Sequence, residues 1–141
     1  MELGGDTKAV LLAAAAMFLW ALLLGVVKYR QTLASGEAQA HPYTDIGHRA
    51  ALLYSFALLL IASFVELSGW GTVINLLAAT AMSTFFFGSV AGYTYHGLRR
   101  DTDNQFREPG AAIRGYMVVL IAAEIGGWLV LVAGFLDGQV F

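Results

Sequence analysis

Four long apolar stretches, separated by three shorter polar ones, dominate the chain. The first runs from Ala9 to Val27 without an ionisable side chain. At ~1.5 Å per residue a helix over it reaches ~28 Å, close to the thickness of a bilayer's hydrocarbon core. The second begins at His48 and Arg49 and continues through Ala50–Val65 to Glu66. The third fills Val73–Tyr95, and the fourth runs from Tyr116 to Leu136, broken only by Glu124. Each predicts a spanning helix, with bounds of about 9–27, 48–67, 73–96 and 115–136. Ser68-Gly69-Trp70-Gly71 leaves room only for a turn, so the second and third spans form a tight helical hairpin. The expectation is one domain over residues 1–141, an all-α integral membrane four-helix bundle.

Composition sharpens this picture. Of 141 residues, 58% are hydrophobic and only 13% charged, with a mean hydropathy of +0.67, too little polar surface for a water-soluble domain of this size. So apolar a chain cannot stay solvated as a disordered coil. Eight Lys and Arg against ten Asp and Glu give no basic field for a nucleic acid. Without cysteine, disulfides, thiolate metal sites, iron–sulfur clusters and Cys nucleophiles are excluded, so any metal must be held by His, carboxylate or a cofactor.

A cleaved signal peptide is the competing reading of the first span, but Glu2 and Asp6 beside Lys8 make a poor basic leader and the apolar stretch is too long. All Lys and Arg except Lys8 lie in two segments. By the positive-inside rule, loops 28–49 and 97–114 are then cytoplasmic and both termini non-cytoplasmic, as in a bacterial inner membrane. Gly88-x-x-x-Gly92, with Thr84 one turn earlier, is a small-residue stripe along which another backbone can approach, within one protomer or between copies. Phe85-Phe86-Phe87 points in three directions and reads as lipid contact and packing.

Candidate chemistry gathers at the cytoplasmic end. His48 heads the second span and His96 ends the third, on antiparallel neighbours at similar depth, with His41 in the preceding loop. A neutral imidazole can ligate iron; the bland alternative is an interfacial histidine. His48 has helical-period neighbours Ala51, Leu52, Ser55, Leu59 and Ala62 that leave room for a planar ligand. Tyr54, Tyr93, Tyr95 and Tyr116 crowd the same half, where a hydroxyl can orient an oxygen-bearing substrate. The loop holding Asn104, Gln105 and Phe106 can rim such a site. Glu66 lies near the outer turn, within snorkelling reach of the interface. Glu124 lies ~12 Å along the fourth span and must be protonated, paired or facing a polar cavity. Phosphate loops, zinc-protease motifs and EF-hands are missing.

The four-span layout, Gly47-His48-Arg49-Ala50-Ala51-Leu52 at the start of the second span, Gly92-Tyr93-Thr94-Tyr95 at the end of the third, and Asn104-Gln105-Phe106 followed by Pro109-Gly110 resemble styrene oxide isomerase. More distantly the layout is similar to hydroxylaminobenzene mutase. The resemblance implies a homotrimer carrying haem b, His48 as the single axial ligand, and ferric iron acting as a Lewis acid in converting an aryl epoxide to an aldehyde. Tyr93 or Tyr95 would be the substrate-facing tyrosine, with Ser55, Asn104 and Gln105 around the cofactor. Where that family carries an asparagine six positions after the ligand, this chain has Tyr54, which alters the pocket.

Two other readings stand beside it. Val26-Val27-Lys28-Tyr29-Arg30, Arg49-Ala50 and Glu66-Leu67-x-Gly69 look similar to the trimeric membrane enzymes of eicosanoid and glutathione metabolism, although the asparagine and early glutamate of their second span are missing. The third is a non-catalytic electron-transfer subunit with haem gripped between His48 and His96.

Overall fold

The computed structural model describes residues 2–141 and consists of four helices: α1 (Gly5–Ala34), α2 (Pro42–Glu66), α3 (Thr72–Arg99) and α4 (Ala111–Gln139). Each is long and apolar enough to cross a membrane. All four extend beyond the apolar stretches that announce them. Most of the extra turns are polar, and α2 alone has a side-chain cap at its start. Pro42 opens α2 in the first helical turn, where its missing N–H costs nothing. His41 precedes it as N-cap, Nδ1 accepting the Tyr43 N–H.

Three close contacts set the direction of the helices. The end of α2 meets the start of α1, where the Thr7 hydroxyl donates to Glu66 Oε2 at 2.6 Å and the Gly4 N–H to the same oxygen at 3.3 Å. The start of α2 meets the end of α3, where Gly97 lies so close to Thr44 that a Cβ would fall 2.8 Å from the Thr44 nitrogen. The end of α4 returns to the α2–α3 turn, with the Gly69 N–H donating to the Gly134 carbonyl at 2.8 Å. The bundle therefore runs up and down in sequence order. Both termini share one end with the Ser68–Gly71 turn, and the two longer loops share the other.

Helices α2 and α3 form the centre. Helix α1 packs on both from one side and α4 on both from the other, without α1 and α4 touching among the described residues. The triple phenylalanine of α3 bridges all three partners: Phe87 approaches Trp20 of α1, Phe86 stacks on Tyr54 of α2 at 4.3 Å between ring centres, and Phe85 meets Tyr116 of α4. Read from sequence as lipid contact and packing, these rings are chiefly the latter.

Packing is uneven. Met17, Ala21, Ala51, Leu58 and Val90 are fully enclosed between α1, α2 and α3, whereas α4 buries only Gly127, Leu131 and Gly134. The accessible surface is 8404 Å², against about 7,100 Å² from the usual area–mass scaling for a monomer of this mass. The excess is apolar, with Leu12, Leu53, Val73, Leu77 and Val118 each more than 65% exposed.

Candidate functional site

Two sites lie on different faces of α2. On the α1 side, His48 is half-buried and its Nδ1 lies 2.9 Å from the Ala21 carbonyl oxygen. A carbonyl only accepts, so Nδ1 is the donor, and the lone pair of the neutral ring is then on Nε2. Among the described residues Nε2 has no hydrogen-bond partner. Ligating histidines commonly have this arrangement, one ring nitrogen fixed by a backbone carbonyl and the other free. Gly25 makes room for it, since a Cβ there would stand 3.0 Å from His48 Cε1. Ser55, two turns on, donates to the Leu52 carbonyl at 2.6 Å and lines a small apolar groove with Phe18, Phe56 and Leu59.

On the other side, α2, α3, α4 and the 100–110 loop enclose a cleft of about 450 Å³. Its walls carry the Tyr54, Tyr93 and Tyr116 side chains, with Ser89 at 3.4 Å from the Tyr116 hydroxyl. Gly88 and Gly92 are its floor. A Cβ on Gly92 would meet nothing within 4 Å, and one on Gly88 only the Tyr116 side chain. Within one protomer the small-residue stripe therefore borders the cleft and no backbone approaches it there. The close backbone approaches occur at Gly97, at Gly127 against the Ala78 carbonyl, and at Gly69 with Gly138.

The geometry separates the candidate residues. Tyr93 lines the cleft, while Tyr95 is half-exposed beneath the Arg99 guanidinium. Gln105 lies at the rim, but Asn104 is turned outward, its Oδ1 accepting the Phe106 N–H. Glu66, expected to snorkel, is instead held by Thr7. Among the described residues no three His, Asp or Glu side chains gather in a metal-binding cluster, so iron would depend on a cofactor supplying most of its own ligands.

Tyr43 escaped the sequence reading. Its buried ring stacks on Tyr93 and lies against His96, and its hydroxyl accepts the Gln105 N–H at 2.7 Å, which pins the rim loop. The signal was available in Pro42, a helix-start residue just before it. His96 is paired with Asp101, Nδ1 to Oδ1 at 2.8 Å, and this bond holds the Asp101 carboxyl below the usual carboxylate range. His48 packs on α1 while His96 packs on Tyr43 and Tyr95, so one protomer does not turn them toward each other. Compared with protein-family models, curated proteins and solved structures, the chain matches none.

Proposed function

We propose that the protein is an integral membrane isomerase that converts an aryl epoxide to an aldehyde with a haem b ligated by His48. It acts as a homotrimer in a bacterial inner membrane, with loops 28–49 and 97–114 cytoplasmic and the termini outside. The observation that carries this reading is the His48 geometry, Nδ1 fixed on the Ala21 carbonyl and Nε2 free, together with the resemblance in sequence. The shared end of the termini and the shared end of the two basic loops support the topology. The exposed apolar surface supports both lipid contact and assembly.

The residues fit the group: His48 would hold its iron, and Gly25 leaves the imidazole the space to do so. When bound, ferric haem supplies a Lewis acid able to draw charge onto an epoxide oxygen. The chain's own part is positioning. The Tyr93 and Tyr54 hydroxyls are donors that can orient the substrate oxygen, and the apolar cleft excludes the water that would give a diol. Because His48 and the tyrosines occupy different faces of α2, the proposed reaction needs the trimer, with the tyrosines of one protomer serving the imidazole of its neighbour.

The test is an optical spectrum of the detergent-purified protein from haem-replete cells. A Soret band is expected, lost together with epoxide turnover in His48→Ala and retained in His96→Ala. A colourless preparation would favour the glutathione-type reading. A six-coordinate spectrum lost in both variants would favour electron transfer.

A further inference from the structure

Among the side chains lining the cleft, Ser89 is the buried polar one, and its hydroxyl is used differently from others on α3. Ser83, Thr84 and Thr94 each donate to the carbonyl four residues back, at 2.6, 2.8 and 2.7 Å. Ser89 makes no such bond, and its partner among the described residues is the Tyr116 hydroxyl of α4 at 3.4 Å. That is long for a bond between hydroxyls, whose usual distance is about 2.7–2.8 Å. Gly88 lets the two groups meet, since a Cβ there would stand 3.0 Å from the Tyr116 oxygen. The pair lies one turn deeper in the cleft than Gly92 and Tyr93, and a Cβ on Gly92 would meet nothing within 4 Å.

Two hydroxyls carry two protons and can use at most one on each other, so at least one O–H is left for the cleft. In apolar surroundings such a group is costly unless a guest completes its bonds. The other walls select the guest. No Asp, Glu, Lys, Arg or His side chain lines the cleft, and Glu124, whose buried Oε1 has no hydrogen-bond partner, lies outside it. A charged guest would lose its hydration without compensation, and a plain hydrocarbon would leave the hydroxyls as they are. An oxygen that accepts from both suits them, because two donors each about 2.8 Å from one acceptor can stand 3.4 Å apart. We propose that Ser89 and Tyr116 together hold the acceptor oxygen, carbonyl or ether, of a neutral apolar molecule whose body lies over Gly92 beside Ile113 and Met117. The faces of Tyr54 and Tyr93 take no part, being stacked on Phe86 and Tyr43. The site belongs to the cleft alone and holds whether or not His48 carries haem.

The experiment titrates the detergent-purified protein with acetophenone and with α-methylstyrene, which has the same shape but a methylene in place of the oxygen. Both affinities are corrected for partition into empty micelles. The ketone is expected to bind about tenfold more tightly, the effect of one or two net hydrogen bonds. Ser89→Ala and Tyr116→Phe are each expected to reduce that preference, and the double variant to abolish it. Isotope-edited infrared spectra of the bound ketone give a readout that a merely structural role would not move: the carbonyl stretch falls in frequency in the unaltered protein and moves back in each variant. Should one variant not fold, the other and the infrared band decide. Equal affinities, an unshifted carbonyl band, or a ketone preference that survives both substitutions overturns the proposal. Failure of the haem reading is seen separately, as a missing Soret band.

Discussion

The two faces of α2 solve opposite problems with similar residues. Toward α1, small side chains such as Ala14, Ala21 and Ala51 draw the helices together until nothing but side-chain carbon fits between them, and His48 is held at the seam by one backbone carbonyl. Toward α4, Gly88 and Gly92 are equally small, but bulky tyrosines opposite them prop the helices apart and leave a cleft. Small residues close an interface only when both sides are small; faced by rings, they make room. One side therefore suits a fixed ligand atom and the other a mobile guest.

Glycine replacements break this comparison most sharply. Gly97→Ala places a Cβ 2.8 Å from the Thr44 nitrogen, and overpacking a backbone contact of this kind costs about 1–3 kcal/mol. Gly92→Ala meets open space and should gain about 0.5–1 kcal/mol from the lost flexibility of a helical glycine. Denaturation of the two variants in the same detergent should shift in opposite directions; equal shifts would mean that the cleft is closed in solution.

A smaller effect is expected at Gly25. An alanine there stands 3.0 Å from His48 Cε1, and the imidazole must swing a few tenths of an ångström. Under the haem proposal Gly25→Ala weakens cofactor retention by up to about tenfold, in the range seen when the support of a ligating histidine is disturbed. Full cofactor retention in Gly25→Ala would show that the imidazole does not depend on that space.

The smallest effect concerns the rim loop and depends on pH. The His96 bond lowers the folded-state pKa of Asp101 below its ordinary value. Its contribution is thus complete above the unfolded value of about 4 and is lost as pH falls through the depressed folded value. Thermal scans of the unaltered protein and Asp101→Asn should differ slightly at pH 6 and converge as pH falls through the depressed folded value. The bond is exposed and worth little in global stability, so tryptic cleavage at Arg107 at neutral pH is the more sensitive readout, faster in Asp101→Asn.

Much of the architecture was legible because hydrophobicity at membrane length is a one-dimensional property. The absence of charge from Ala9 to Val27 and the Ser68–Gly71 break are visible without knowing what any residue touches. Helix ends were less legible, since Pro42–Gly47 and Gly97–Arg99 are polar enough to resemble loop and become helix through capping and the Thr44–Gly97 contact. The site divided in the same way. Tyr54, Tyr93 and Gln105 meet in the cleft, as their common end of the bundle suggested, whereas Tyr95 and Asn104 turn away. For Tyr95 two residues of helical rotation decide that, and for Asn104 a local turn with Phe106; hydropathy registers neither.

The sequence by itself determined that four helices of spanning length exist, that its basic residues gather in two segments, and which few side chains could carry chemistry, because composition and spacing fix length and polarity. Only the tertiary structure decided that His48 faces α1 while the tyrosines face α4, that Gly92 opens a cavity while Gly97 closes a contact, and that Glu124 is left without a partner. Each of these depends on which surfaces meet across helices far apart in the chain, and no local pattern encodes that.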